Sequence, residues 1–307
     1  MWFIANDRKI PISDLIIVDD LSMYHTAISF STNARFGVLE GTIQHNSSKM
    51  NVVIVNQTPT DKGLFKTDCV TRDIYDKFKS VTAGYNGRIT IDGLFRKLGF
   101  QYKSNYVSNN SYFSIPQCKV TTLFDKLTLS ASFANGGGAH FYMQLDGVVY
   151  GYDYKLIKEK SKAISIKGEV YSENTNTDWM EFTASEYELY YWDNNNRYRK
   201  ENFVIERGWG KMAVPLNDTT GVWKDVVKQE LTNKFYNKWF NSHQLLVNLA
   251  PSKEKINIGQ LVSLYDGKDT FIVRGITMAF DEVSEMPSIS AVLISESNFK
   301  KLWQLKS

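Results

Sequence analysis

The side chains of this chain best suited to chemistry crowd residues 178–192. Asp178, Glu181, Glu186 and Glu188 lie among Trp179, Tyr187, Tyr190, Tyr191 and Trp192. Two carboxyl groups flanking a bond are what glycoside hydrolysis requires, and neighbouring rings would give a sugar its platform. A plainer reading is favoured. A half-buried strand alternates, and its polar face collects acids that are near in sequence. The Tyr and Trp content also suits an interface.

The four histidines, His25, His45, His140 and His243, show no metal-binding spacing, and each falls in or beside an expected strand. Cys69 and Cys118 sit in no CxxC pattern, which reads as two free thiols in a reducing compartment. The sequence has no GxSxG elbow, P-loop or GxGxxG motif. Gly136-Gly137-Gly138 follows a helix instead of preceding one, so it reads as a flexible connection and not as a phosphate cradle. No catalytic group, cofactor or metal is expected.

The elements that would position these residues are mostly strands. A length of 307 residues allows two or three domains, and 14% aromatic content favours β structure. A net charge of +3 is too small for a nucleic-acid footprint. The N-terminus does not read as a signal peptide, and no window approaches ~20 apolar residues, so no stable membrane insertion is expected. Cytoplasmic synthesis of a soluble chain is the expectation.

Residues 257–295 read as three antiparallel strands, with Asp266-Gly267 as a hairpin turn and Gly275 as a bulge. The first 60 residues read as a meander that opens with a hairpin around Asn6-Asp7-Arg8. Thr90 to Gly99 carries a cap, an Ile91/Leu94/Phe95/Leu98 stripe and a closing glycine, which is a helix. A second helix is expected from about Leu123 to Ala134, capped by Thr122 and ended by Asn135 and the three glycines. Asp146-Gly147, between AHFYMQL and VVYGYDY, marks the clearest hairpin. Residues 161–215 return to β character, with a turn at Asn194 to Asn196. A long amphipathic helix spans about 221–240, with Val226, Val227, Leu231, Phe235 and Trp239 along one face.

This order of elements resembles the baseplate hub proteins of tailed phages, including the late control protein D group and the hub part of type VI secretion spikes. The resemblance is carried by ITIDGLFRKLG, TTLFDKLTLSASFA, HFYMQLDGVVYGYDYKLI, the long helix and GQLVSLYDGKDTFIVRGITMAFDE. Asp146-Gly147 matches a turn of that family. Gly259, Val262, Val273, Ile276 and Phe280-Asp281 match its terminal unit, whereas Met278 stands where a histidine is common.

The resemblance implies a β-rich α+β fold with two tube-like antiparallel β-barrel domains, an interleaved α/β insertion and one long amphipathic helix. The expected division is 1–88 for the first barrel, to which part of 161–215 can contribute, then 89–160 for the insertion and 161–307 for the second barrel. It further implies a non-enzymatic homotrimer joining a sixfold tail tube to a threefold spike. Its partners would be a tail tube or distal tail protein, a central spike and baseplate wedge proteins, with DNA only as passing cargo in a virion assembled in the host cytoplasm. Trp179, Tyr187, Tyr191, Trp192, Trp223 and Trp239 are the candidates for interface contacts. The alternatives are a carbohydrate-binding or carbohydrate-active protein centred on 178–192 and a distal-tail adaptor.

Overall fold

The computed structural model of the chain describes residues 1–37, 40–175, 184–193, 195, 197–206, 211–216, 222–251, 255–265, 267–281 and 286–295. Seven strands come first: β1 (Trp2–Ala5), β2 (Arg8–Pro11), β3 (Ser13–Asp20), β4 (Ala27–Thr32), β5 (Glu40–His45), β6 (Ser48–Pro59) and β7 (Phe65–Thr71). Asn6 and Asp7 take φ of 48° and 61°, the left-handed pair that a two-residue hairpin between β1 and β2 demands. Alternation puts Ile28 and Phe30 of β4 on the face that meets Phe3, Ile12, Leu15, Ile43, Val52 and Ile54, and these form one core.

An α/β unit follows: α1 (Arg72–Lys79), β8 (Val81–Thr82), β9 (Tyr85–Ile89), α2 (Ile91–Lys97), β10 (Tyr102–Ser104), β11 (Ser111–Ile115), β12 (Cys118–Lys119), α3 (Val120–Ser130), β13 (Ala139–Met143), β14 (Val149–Asp153) and α4 (Tyr154–Lys160). Helix α2 forms as its cap and stripe predict. Thr90 Oγ1 accepts from the Gly93 amide at 3.2 Å, Ile91, Leu94 and Phe95 are fully buried, and Gly99 ends it at φ 78°.

Helix α3 differs from its expectation. It starts at Val120, its cap position is Lys119 without a side-chain bond, and Thr122 lies inside it. Val120, Leu123, Phe124 and Leu127 make the i, i+3, i+4, i+7 stripe, so packing of Val120 outweighs the cap signal at Thr122. The helix ends at Ser130, before Asn135 and the glycines. Helix α4 is a further departure, since YDYKLI reads as a continuation of the hairpin. Asp153 stops the strand by capping, its Oδ1 accepting from the Leu156 amide at 3.0 Å.

The last part contains β15 (Ile164–Ile166), β16 (Gly168–Thr175), β17 (Glu186–Trp192), β18 (Tyr198–Val204), β19 (Lys211–Pro215), α5 (Val222–Phe240), β20 (His243–Leu249), β21 (Leu261–Leu264), β22 (Thr270–Phe280) and β23 (Ser288–Ser295). Register shifts between Val273 and Gly275, so the bulge falls where the glycine predicts and leaves Arg274 as the extra residue.

The first seven strands and the terminal ones share one 13-stranded sheet, ordered β16-β20-β23-β22-β3-β4-β7-β6-β5-β1-β2, with β21 and β15 branching from β22. The seam is the antiparallel pair β22–β3, from Gly275↔Asp20 to Phe280↔Leu15. Only Ile12 separates β2 from β3 and only Lys167 separates β15 from β16, so the pairings return on themselves twice, as β2-β1-β5-β6-β7-β4-β3 and as β16-β20-β23-β22-β21-β15. Part of 161–215 could contribute to the first unit. Instead β15 and β16 pair with β21 and β20, and β17–β19 make a sheet of their own. Separate cores underlie the two ends of the large sheet, and a third fills the α/β unit, including Ile74 of α1. No described helix is long and apolar enough to cross a membrane.

Candidate functional site

Strand phase puts the two described acids, Glu186 and Glu188, on one face of β17, as alternation predicts. On β17, Tyr187 and Leu189 point into a small core, while Glu188, Tyr190 and Trp192 occupy the alternate positions. Asp178, Trp179 and Glu181 lie outside the described residues. Glu188 bonds to Lys200 (2.8 Å) and Lys211 (2.6 Å) and accepts from the Tyr190 hydroxyl at 2.8 Å. The Lys200 ammonium, then Lys211 and Tyr190, hold its carboxyl down at about 2. Such a group is ionised throughout the neutral range and is not poised as a general acid. Beside it Tyr190 stacks on Tyr198 at 5.9 Å, and Trp192 meets Tyr198 edge-on at 5.4 Å.

One Ser–His–acid arrangement exists that no sequence motif announces. His243 Nδ1 lies 2.9 Å from Ser295 Oγ, and its Nε2 lies 2.7 Å from Glu173 Oε1. Cross-strand pairing makes it, since His243 faces Ser295 in the β20–β23 register. Ser295 is only 2% exposed, so its hydroxyl is closed to a substrate. The arrangement ties edge strand β16 to the sheet interior.

Of the interface candidates, Trp192 and Trp223 are exposed, and Tyr191 is half-buried under the Lys224 ammonium, 4.9 Å from its ring. Tyr187 and Trp239 are buried within the chain and are spent on its own cores. Trp223 and Tyr112, with ring centroids 6.3 Å apart, wall a cleft of about 830 Å³ between α5, α3 and the β9–β11 pair. Gly147 sits at a hairpin tip with φ 72°, its amide donating to the Gln144 carbonyl. Asp146 Oδ1 accepts from the Val148 amide at 3.0 Å. Gly259 has φ 74° and passes so close to Tyr152 that a Cβ would lie 2.4 Å from its ring. At the terminal hairpin Asp266 lies outside the described residues. Among the described residues there, Tyr265 takes a left-handed φ of 51°.

The residues that hold the units together were not visible as motifs. Gly136-Gly137-Gly138 is pinned, contrary to the flexible connection expected of it. The Gly137 amide donates to Asp153 Oδ1 at 2.9 Å, and the Gly138 amide to Asn233 Oδ1 at 3.1 Å. Asn233, fully buried on α5, donates back to the carbonyls of Leu129 (2.7 Å) and Ala131 (2.8 Å). A polar residue on the buried side of an amphipathic helix was the available signal.

Burial pushes the Asp153 carboxyl up to about 6, against the lowering effect of the Gly137 and Leu156 amides. The folded chain therefore holds this proton more tightly than the unfolded one. Its stabilising contribution is present at acid pH and is lost as pH rises from about 4 through about 6. Asp153→Asn is expected to gain on the parent by roughly 2–3 kcal/mol between pH 4 and pH 7. Urea midpoints across that range measure it, and identical pH slopes for the two proteins would contradict the assignment.

These elements define a class by fold. A thirteen-stranded sheet, with an α/β unit inserted between its halves and a long helix packed on its core, makes a fold similar to that of solved tail proteins. The tail protein from Neisseria meningitidis MC58 matches with a TM-score of 0.60 over 96% of this chain and 96% of its own, at 11% identity. The prophage MuSo2 43 kDa tail protein from Shewanella oneidensis gives 0.59 over 96% and 97%, at 12% identity. Prophage tail protein gp18 from Listeria monocytogenes EGD-e gives 0.54 over 95% and 93%, at 10% identity. No protein-family model matches the sequence, and no curated protein matches it. At such identities the likeness is one of fold.

Proposed function

We propose that this chain is a structural baseplate hub of a phage tail. It joins the tail tube to a central spike as a homotrimer and lines the channel through which DNA passes. The role is non-enzymatic, and its partners are a tube or distal tail protein, the spike and the baseplate wedges, in the virion. The observation that carries this reading is the pair of strand rings within one chain, since three chains would then present six similar walls to a tube. Among the described residues strand β16 pairs only with β20. From Glu169 to Thr175 strand β16 is exposed at every position. A long exposed edge invites aggregation unless another chain covers it. Different surfaces meeting head to tail close a ring when the rotation allows. The full-length match to tail proteins adds support.

Light scattering at high protein concentration tests the ring. Three chains of 35.2 kDa predict a mass of about 106 kDa. A stable monomer or dimer contradicts the hub reading, and a six-chain mass moves the chain to the tube side of the junction as a distal adaptor.

A further inference from the structure

His140 of β13 stands where five elements meet. Its ring packs on Tyr154 of α4, with centroids 4.5 Å apart. Asn237 of α5, Arg274 at the β22 bulge, Asp20 of β3 and the backbone of Leu21 face it. His140 Nε2 and Asn237 Oδ1 are both buried, and the two side chains face one another. Arg274 is drawn to Asp20, its Nε lying 3.3 Å from Oδ1, and its Nη1 donates to Asn241 Oδ1 at 3.3 Å. The charged groups here are thus one guanidinium and one carboxylate. Tyr154, the other titratable neighbour, is kept neutral by burial, and α5 and the turn after it offer the carboxamides of Asn237 and Asn241.

We propose that this junction is a proton-operated latch, in which protonation of His140 releases α5 and the α/β unit from the β3–β22 seam. An imidazolium there would set two cations against a single carboxylate in a buried site. Opening returns the ring to solvent and relieves both costs. Burial, together with Arg274, lowers the closed-state pKa of His140 from 6.5 to about 4. Acid therefore favours the open form, and the closed-to-open ratio falls about 100-fold between pH 7 and pH 4. Asp153, beside Tyr154, acts in the opposite sense over nearly the same range, and its replacement isolates the His140 contribution.

The test is hydrogen–deuterium exchange at pH 7 and pH 4 on Asp153→Asn protein, with rates divided by the intrinsic exchange rates. Protection of amides in α5 and β13 is expected to drop about 100-fold. In the Asp153→Asn/His140→Gln protein that drop should vanish. Unchanged protection in the first, or an equal drop in the second, overturns the latch. If the double variant does not fold, the ring carbons of His140 in labelled parent protein decide. A neutral ring at pH 5.5 supports the proposal, and a midpoint near 6.5 in the folded chain overturns it.

Discussion

Asn233→Leu is expected to cost this chain roughly 4–6 kcal/mol, the largest effect of any single polar substitution considered. The Asn233 carboxamide joins three segments that no other group joins in the same way. Its Nδ2 satisfies the Leu129 and Ala131 carbonyls at the C-terminal end of α3, where helix geometry leaves acceptors unpaired. Its Oδ1 takes the Gly138 amide and the Gln229 side chain. Leucine fills similar space but leaves one buried and one part-buried carbonyl and one buried amide without this partner, each worth about 1–3 kcal/mol. For a chain of this size the melting temperature should fall by on the order of 10–20 °C. Gln229→Ala is the control, since it removes only a helix-surface neighbour of the same oxygen. An Asn233→Leu protein melting within about 2 °C of the parent would show that water replaces these bonds.

Gly137→Ala should cost somewhat less, roughly 2–4 kcal/mol, and for a purely steric reason. Gly137 is not left-handed, so alanine meets no backbone strain there. An added Cβ would lie 2.1 Å from Tyr236 Cδ2 and 2.6 Å from Cε2. That ring cannot retreat easily. It is 3% exposed, packs on Phe235, Trp239 and Phe240, and its hydroxyl donates to Glu206 Oε1 at 3.2 Å. A double-mutant cycle checks the argument. Combined with Tyr236→Leu, which makes room, Gly137→Ala should cost at least about 1 kcal/mol less than it does alone. Strict additivity of the two would place the cost elsewhere.

Local pattern made much of the fold legible. The terminal strands, the Gly275 bulge, the Asn6-Asp7 hairpin, helix α2 and helix α5 each rest on side-chain period, caps and turn residues within about 20 positions. Helix α4 was not legible, because seven residues after a strand give too little period to see, and Asp153 passed for a strand residue when it was a cap. The start of α3 was set by Val120 packing, which outweighs a local cap. The contacts that fix the units escape any local reading. Asn233 meets Leu129, His140 meets Asp20 and His243 meets Ser295, and none of these pairs is near in sequence. Residue type also misled at the interface candidates. The phase of β17 separates buried Tyr187 from exposed Trp192, and the buried stripe of α5 already contained Trp239.

The central claim is that this chain forms the threefold joint between a tail tube and a spike. Electron cryomicroscopy of assembled tail particles tests it most directly. The account predicts three copies around the tail axis at the tube–spike boundary, with the β16 edge of each copy covered by a neighbouring chain. Density for the chain at six equivalent positions, or at a site away from that boundary with β16 still open, would contradict it.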